Sequence, residues 1–157
     1  MRTAWLHRGM TLLVVLGACS DKGVSGTAGS ADALQHCVDV INSYRSANGR
    51  PALTRSSALE DCALAGAKSD ASSGQAHGHF KSTSGCNGTA NAENELPGWA
   101  LGSGTVLDII DSGTAMMMAE GPGGGHYENI LRAGATQVGC GVFVLSDNNV
   151  WVVQDFK

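Results

Sequence analysis

The chain has few aromatic residues and no cluster of basic ones. Aromatic side chains make up 5% of its 157 residues, and ten lysines and arginines are outnumbered by fourteen acidic residues. Because a nucleic-acid-binding surface needs a basic patch, often with aromatic side chains between the charges, the composition argues against a nucleic-acid partner. The sequence also lacks the Gly-x-Ser-x-Gly elbow of serine hydrolases, the His-Glu-x-x-His helix of zinc proteases and the lysine of a P-loop.

The N-terminus carries the pattern of an export signal. Two arginines and a histidine precede the apolar residues 10–16, a run too short to cross a bilayer as a mature helix. The run leads into Gly-Ala followed by Cys19, which resembles the processing site of bacterial lipoproteins. We predict that residues 1–18 are a lipoprotein signal peptide and that Cys19 is lipidated and anchors the protein to a membrane. Ordinary secretion with an unmodified cysteine is the alternative. In a Gram-negative cell, Ser20 permits transfer to the outer membrane.

The segment after the signal has the composition of a tether. Residues 19–30 are rich in glycine, serine, threonine and alanine, which is typical of a flexible linker. We therefore place one folded domain at residues 31–157, a length that suits a single domain. Two arginines leave with the signal peptide, so the mature chain is mildly acidic, with a net charge of −6.

The cysteines of the predicted domain are even in number. Cys37, Cys62, Cys86 and Cys140 remain once Cys19 is set aside. In an exported chain this number predicts two disulfides, for which three pairings exist. Cys37 and Cys62 fall on the apolar faces of two adjacent predicted helices, so we favour a Cys37–Cys62 bridge, with Cys86–Cys140 as the second.

Hydrophobic periodicity predicts three longer helices and one hairpin. A glycine or proline follows each of the first two helices, and a polar Asp-Asn-Asn turn separates two segments of apolar alternation. Residues 75–104 have little periodicity, and long irregular segments of this kind are often functional. The predicted class is α+β, with helices on a small, mainly antiparallel sheet. The predicted elements span residues 31–48, 57–73, 105–119, 137–145 and 150–156.

Two histidines and two glutamates are candidate functional residues. Glu120 and His126 flank a glycine-rich bend that can bring them together, and His77 and Glu93 lie in the irregular segment. Such a group can bind a divalent metal, perform acid–base chemistry or form a structural ion-pair network. His79 competes with His77 for the first histidine position.

Three motifs resemble the CAP superfamily of cysteine-rich secretory, antigen 5 and pathogenesis-related proteins, also called the SCP domain. They are Gly-His-Tyr-Glu-Asn at 125–129, Gln-Val-Gly-Cys-Gly-Val at 137–142 and Ala-Glu-Asn at 92–94. The resemblance covers residues 31–157 and implies an α-β-α sandwich with a surface cleft. Ala92 stands where the family has glycine, and the spacer between the last two cleft residues is short, which implies a compact cleft. The implied cleft tetrad is His77, Glu93, Glu120 and His126.

The resemblance implies a binding protein more than an enzyme. It favours a monomeric, non-enzymatic module of the cell envelope or the extracellular space that binds a lipid or small apolar ligand. Its cleft can hold zinc or another divalent metal through His77 and His126. One alternative is a metal-assisted, protease-like hydrolase in which Glu93 or Glu120 activates water. The other is a structural envelope protein, since fold alone does not fix activity.

Overall fold

The structure, a computed structural model, describes residues 25–157. The predicted signal peptide and Cys19 lie outside these residues. None of the helices within 25–157 is long and apolar enough to cross a membrane. The elements in chain order are β1 (Gly26–Ala28), α1 (Ala31–Ala47), β2 (Thr54–Arg55), α2 (Ser57–Ser73), α3 (Gly78–Gly88), β3 (Ala92–Ala100), α4 (Val106–Ala119), α5 (Gly125–Ile130), β4 (Gln137–Leu145) and β5 (Asn149–Phe156).

The strands form one sheet in the order β1-β4-β5-β3, and β2 adds a short parallel pairing to β4. The pairs β1–β4, β4–β5 and β3–β5 are antiparallel. The predicted hairpin is confirmed: Asn148 has a φ of 63°, a conformation that asparagine tolerates in tight turns, and it joins β4 to β5. The edge strand β3 therefore lies beside the last strand of the chain.

Helices cover both faces of the sheet, so the predicted α-β-α sandwich is confirmed. α1, α4 and α5 lie on one face, and α2 and α3 lie on the other. The sequence alternation of β4 explains this arrangement, since its valines face α1 and its glycines face α2. A Cβ atom on Gly141 would lie 2.1 Å from the backbone of Ala63, so α2 approaches the sheet too closely for any other residue there.

The predicted disulfide pairing is wrong. The bridges join Cys37 to Cys140 and Cys62 to Cys86. Cys37 lies on α1 and Cys62 lies on α2, and these helices cover opposite faces of the sheet. The sheet therefore separates the two residues that were predicted to pair, while Cys140 of β4 faces α1.

Two predicted irregular segments contain regular structure. Gly26–Ala28, assigned to the tether, forms β1 and pairs with Phe143–Leu145 of β4, so the tether prediction is wrong for these residues. The segment 75–104 contains α3 and β3. β3 shows no apolar alternation because glutamates occupy one of its faces, and a bulge between Leu96 and Trp99 interrupts its pairing.

Candidate functional site

The first histidine–glutamate pair lies under α2 and involves β3. Alternate residues of a strand share a face, so Glu93 and Glu95 both point toward α2. The Nδ1 atom of His77 lies 2.8 Å from Oε1 of Glu93, and the His77 backbone N–H donates to Oε2 of Glu95 at 2.6 Å. His77 precedes α3 with a left-handed φ of 62°, which is strained for a side chain of this size. This backbone conformation lets one residue contact both glutamates.

His79 occupies a different environment from His77. Its backbone N–H donates to Oδ1 of Asp70 at 2.8 Å, and its Nδ1 lies 4.0 Å from Sγ of Cys86. His77, and not His79, is therefore the histidine in contact with Glu93. A set of potential ligand atoms on Cys62, His79 and Cys86 lies close together, but the two cysteines form a disulfide and offer no thiolate.

The second pair joins the end of α4 to the start of α5. Nδ1 of His126 lies 2.5 Å from Oε1 of Glu120, and the His126 backbone N–H donates to Oε2 of Glu120 at 3.1 Å. The glycine-rich bend makes this contact possible, because a Cβ atom on Gly124 would lie 2.4 Å from Cβ of Glu120. Gly121 and Gly123 have φ values of 70° and 94°, which other residues rarely adopt. The bend thus brings Glu120 and His126 together as the sequence predicted.

A network of amide side chains ties α5 to β3 between the two pairs. The Nδ2 atom of Asn94 donates to the backbone carbonyl of His126 at 3.2 Å. Asn129 donates to the carbonyl of Glu93 at 3.2 Å and to Oδ1 of Asn94 at 3.0 Å. Asn94 and Asn129 are therefore positioning residues that sequence reasoning did not single out, although each directly follows a glutamate in one of the quoted motifs.

The two glutamates of the pairs have pKa values shifted in opposite directions. Burial, and next the charge of Asp70, raises the pKa of Glu93 to about 8. Burial also raises the pKa of Glu95 to about 7, against the hydrogen bond from His77. By contrast, the hydrogen bond from the His126 side chain lowers the pKa of Glu120. At neutral pH the carboxyl group of Glu93 therefore tends to be protonated, whereas the carboxylate of Glu120 is ionised.

A cavity of about 180 Å³ opens between β3 and α4, beside the second pair. Its apolar wall includes the side chain of Met116, which is 59% exposed. Exposed methionine is common on surfaces that bind apolar groups, because its side chain is flexible and polarisable. The polar end of the cavity is formed by Glu120 and His126; Glu95 also borders the cavity, but its side chain is fully buried on the α2 side of β3. The remaining lining residues are Leu96, Pro97, Trp99, Gly113 and Met117.

Sequence reasoning missed further carboxylates near the first pair. Glu95, Asp70 and Asp155 were not singled out as candidate residues. In the β3–β5 register Asp155 pairs with Glu93, and burial raises its pKa to about 8. The sequence feature that could have revealed Asp155 is the Gln154-Asp155 pair near the end of the mainly apolar strand β5. Two adjacent polar residues are unusual in a central strand with helices on both faces.

One described group of three residues could hold a metal ion. Ligand atoms of His77, Glu93 and Glu95 lie within 4.8 Å of one another. His126, predicted as the second metal-binding histidine, is not a member of this group and remains a predicted ligand. In both pairs the contact to glutamate is made by Nδ1, which leaves Nε2 of each imidazole available to a metal.

Residues 38–156 match the model of the cysteine-rich secretory protein family, CAP. No curated protein sequence matches the chain. Among solved structures, the chain is similar to an outer surface protein from Borrelia burgdorferi, with a TM-score of 0.62 and 16% identity over 85% of this chain and 98% of that one. A hookworm platelet inhibitor is similar with a TM-score of 0.56 and 15% identity, over 82% of this chain and 70% of that one. A cysteine-rich secretory protein from Staphylococcus aureus has a TM-score of 0.51 and 18% identity over 79% of this chain and 38% of that one. At these identities the structures support the fold alone.

Proposed function

Because the chain belongs to the cysteine-rich secretory protein family, CAP, we propose that it is an exported binding module that holds a small apolar ligand in the groove between β3 and α4. The observation that carries this proposal is the apolar wall around Trp99 and Met116, which ends at the polar pair of Glu120 and His126. A ligand with an apolar body and one hydrogen-bonding end fits such a groove.

The size of the groove limits the ligand. Its volume of about 180 Å³ is slightly above the ~150 Å³ of an engineered cavity that takes up benzene, and below the ~300 Å³ at which pockets for larger ligands begin. We therefore propose that the groove takes one ring or one segment of an acyl chain. A complete sterol would extend beyond it.

Titration with a medium-chain fatty alcohol such as octanol tests this proposal. Met116→Glu introduces a charge into the apolar wall, and we expect it to weaken binding by about tenfold or more. Leu107→Glu is the matched control, since Leu107 is also an exposed apolar residue of α4 but does not line the groove. The proposal fails if octanol does not bind, or if both variants reduce its binding equally.

We also propose that the protein is exported and held at the cell envelope. Two disulfides favour an oxidising compartment, and the chain's structural relatives include proteins named as outer surface and secretory. Lipidation of Cys19 would place the groove near a membrane, which is a source of acyl chains. Mass spectrometry of the mature N-terminus tests this point, and release of a Cys19→Ala variant into the medium is the expected result. An unmodified N-terminus would leave secretion without an anchor.

The histidine–glutamate cleft is proposed to bind a divalent metal such as zinc through His77 and His126. The supporting observation is that a glutamate engages Nδ1 of each ring, as carboxylates do behind metal-binding histidines. Calorimetric titration with zinc should detect one site, which is lost in His77→Ala/His126→Ala. If the folded parent protein takes up no zinc, the pairs form a structural network.

One observation favours metal-assisted hydrolysis as a second candidate. The ionised carboxylate of Glu120 lies at the polar end of the groove beside His126, where it can accept a proton from water. Zinc-dependent cleavage of peptide or ester substrates that is lost in Glu93→Gln or in Glu120→Gln would support this candidate. Activity that survives both changes would exclude these residues as the base.

A further inference from the structure

Four carboxylates are enclosed between α2 and the sheet, on the opposite face from α4. Asp70, Glu93, Glu95 and Asp155 are each no more than 8% exposed. Within residues 25–157, none of the four forms an ion pair with a lysine or arginine. Buried charges are normally paired or bound to a metal, because the loss of hydration is costly. We refer to these four residues as the buried carboxylate cluster.

The oxygen atoms of this cluster lack partners where they are most deeply buried. Among the described residues, neither carboxylate oxygen of Asp155 has a hydrogen-bond partner, and the same is true of Oε1 of Glu95 and Oδ2 of Asp70. Asp155 is fully buried. Four carboxylate oxygens are thus enclosed without a donor, which is unusual for a folded protein and requires protons or a cation.

The strand register places the three strand carboxylates on one face of the sheet. Asp155 lies directly opposite Glu93 in the β3–β5 pair, so their Cβ atoms are about 5 Å apart on one face. Glu95 is the diagonal neighbour on the same face, at about 7–8 Å, within reach of its longer side chain. Asp70 reaches the group from α2 and is fixed by the backbone N–H of His79.

From these observations we propose a buried site for an oxygen-preferring divalent cation, held by Glu93 and Glu95, whose ligand atoms lie within 4.8 Å of each other, and completed by Asp155, with Asp70 at its edge. Carboxylate-rich sites suit Ca²⁺ or Mn²⁺ better than zinc, which favours histidine and cysteine. His77, whose side chain is 33% exposed, covers the group from the solvent side and marks the route of entry. The site does not use His126; it lies on the α2 side of β3 and shares Glu93 and the neighbouring His77 with the proposed zinc cleft.

Electron paramagnetic resonance with Mn²⁺ tests this site in chelator-treated protein at about pH 8, where carboxylates of this kind ionise. We expect one Mn²⁺ per chain to lose its free-ion signal, and Asp155→Asn to weaken binding by about tenfold or more. Asp61→Asn is the matched control, because it removes one negative charge from the exposed face of α2. It should bind Mn²⁺ as the parent protein does.

Paramagnetic NMR of the unmodified protein tests the site without relying on the folding of a variant. Bound Mn²⁺ should broaden the amide NMR signals of Asp155 and Val153 more strongly than that of His126. No Mn²⁺ binding to the folded protein, unchanged binding in Asp155→Asn, or strongest broadening at His126 would each overturn the proposal. The zinc cleft is judged separately: His126→Ala should weaken zinc binding and leave Mn²⁺ binding intact.

Discussion

The two histidine–glutamate pairs are chemically alike and electrostatically opposite. In both pairs the histidine side chain is 33% exposed and contacts its partner through Nδ1. The glutamates differ: the side chain of Glu93 is 2% exposed, whereas that of Glu120 is 35% exposed. Burial therefore raises the pKa of Glu93 and a hydrogen bond lowers that of Glu120. The same residue types therefore form the same contact in both pairs, while burial or exposure of the glutamate determines whether its carboxyl group is protonated.

Because of this contrast, the two sides of β3 are suited to bind different ligands. The α2 side holds carboxylates with raised pKa values that form no ion pair with a lysine or arginine among the described residues, which suits a proton or a cation. The α4 side has an ionised, solvent-accessible glutamate beside an apolar groove, which suits a ligand with one polar end. The amide network around Asn94 keeps the two sides in register with each other.

The largest expected effect is the pH dependence of stability in metal-free protein. Glu93, Glu95 and Asp155 have folded-state pKa values above their ordinary ones, so the folded protein binds more protons than the unfolded chain between about pH 5 and about 8. The free energy of unfolding should therefore fall as pH rises through this window, in total by several kcal/mol. Urea unfolding at a series of pH values measures it. A stability that rises from pH 5 to 8 would contradict the pKa values of the buried side.

Asn94→Ala should cost about 2–3 kcal/mol of stability, because the change removes three side-chain hydrogen bonds and leaves buried partners unsatisfied. It should also release α5 from β3, because the Asn94 contact with the His126 carbonyl is lost, while the contact of His77 with Glu93 persists. Urea unfolding gives the stability, and amide hydrogen exchange in α5 gives the release. Unchanged exchange in α5 would mean that the network does not couple the two sides.

Asp155→Asn should stabilise the metal-free protein by about 1–2 kcal/mol at pH 8, because it removes a buried charge beside two other carboxylates. The same variant should reduce the slope of stability against pH. Asp61→Asn, at the surface of α2, should change stability by less than about 0.5 kcal/mol. Destabilisation by Asp155→Asn in protein free of metal would imply that the carboxylate has a stabilising partner.

The smallest effect is expected on the exposed side. Glu120→Gln should change stability by less than about 1 kcal/mol, since a solvent-exposed ion pair contributes little. It should also weaken the contact with Nδ1 of His126, because an amide oxygen accepts a hydrogen bond less strongly than a carboxylate does. The 15N chemical shift of Nδ1 in the His126 ring, compared between the variant and the parent protein at one pH, measures this loss. Equal shifts in the two proteins would mean that the pair does not form in solution.

The sequence predicted the parts of the fold in which periodicity matches burial. α1, α2, α4 and the β4–β5 hairpin each present an apolar face at the expected spacing, and the structure has them within one or two residues of the predicted bounds. β3 was missed because glutamates line its α2 face and Pro97 and Gly98 lie in its bulge. The disulfide pairing was wrong because helical periodicity does not reveal on which side of a sheet a helix lies.

The candidate site was predictable where local chain geometry dominates. The glycine-rich bend fixes Glu120 beside His126 over six residues, so the pair could be inferred from spacing. The buried cluster depends instead on the register between β3 and β5, which joins Glu93 to Asp155 across a long stretch of the chain. That register follows from tertiary packing, and no local pattern in the sequence encodes it.

The most direct test of the account is a carbon-detected NMR titration of the glutamate side-chain carboxyls in metal-free protein. Glu93→Gln and Glu120→Gln identify the two signals. We predict that the Glu93 carboxyl titrates near pH 8 and that the Glu120 carboxyl titrates below its ordinary pKa. If both carboxyls titrate together near the ordinary value for glutamate, the two pairs are electrostatically equivalent and the division of roles between the two sides of β3 is wrong.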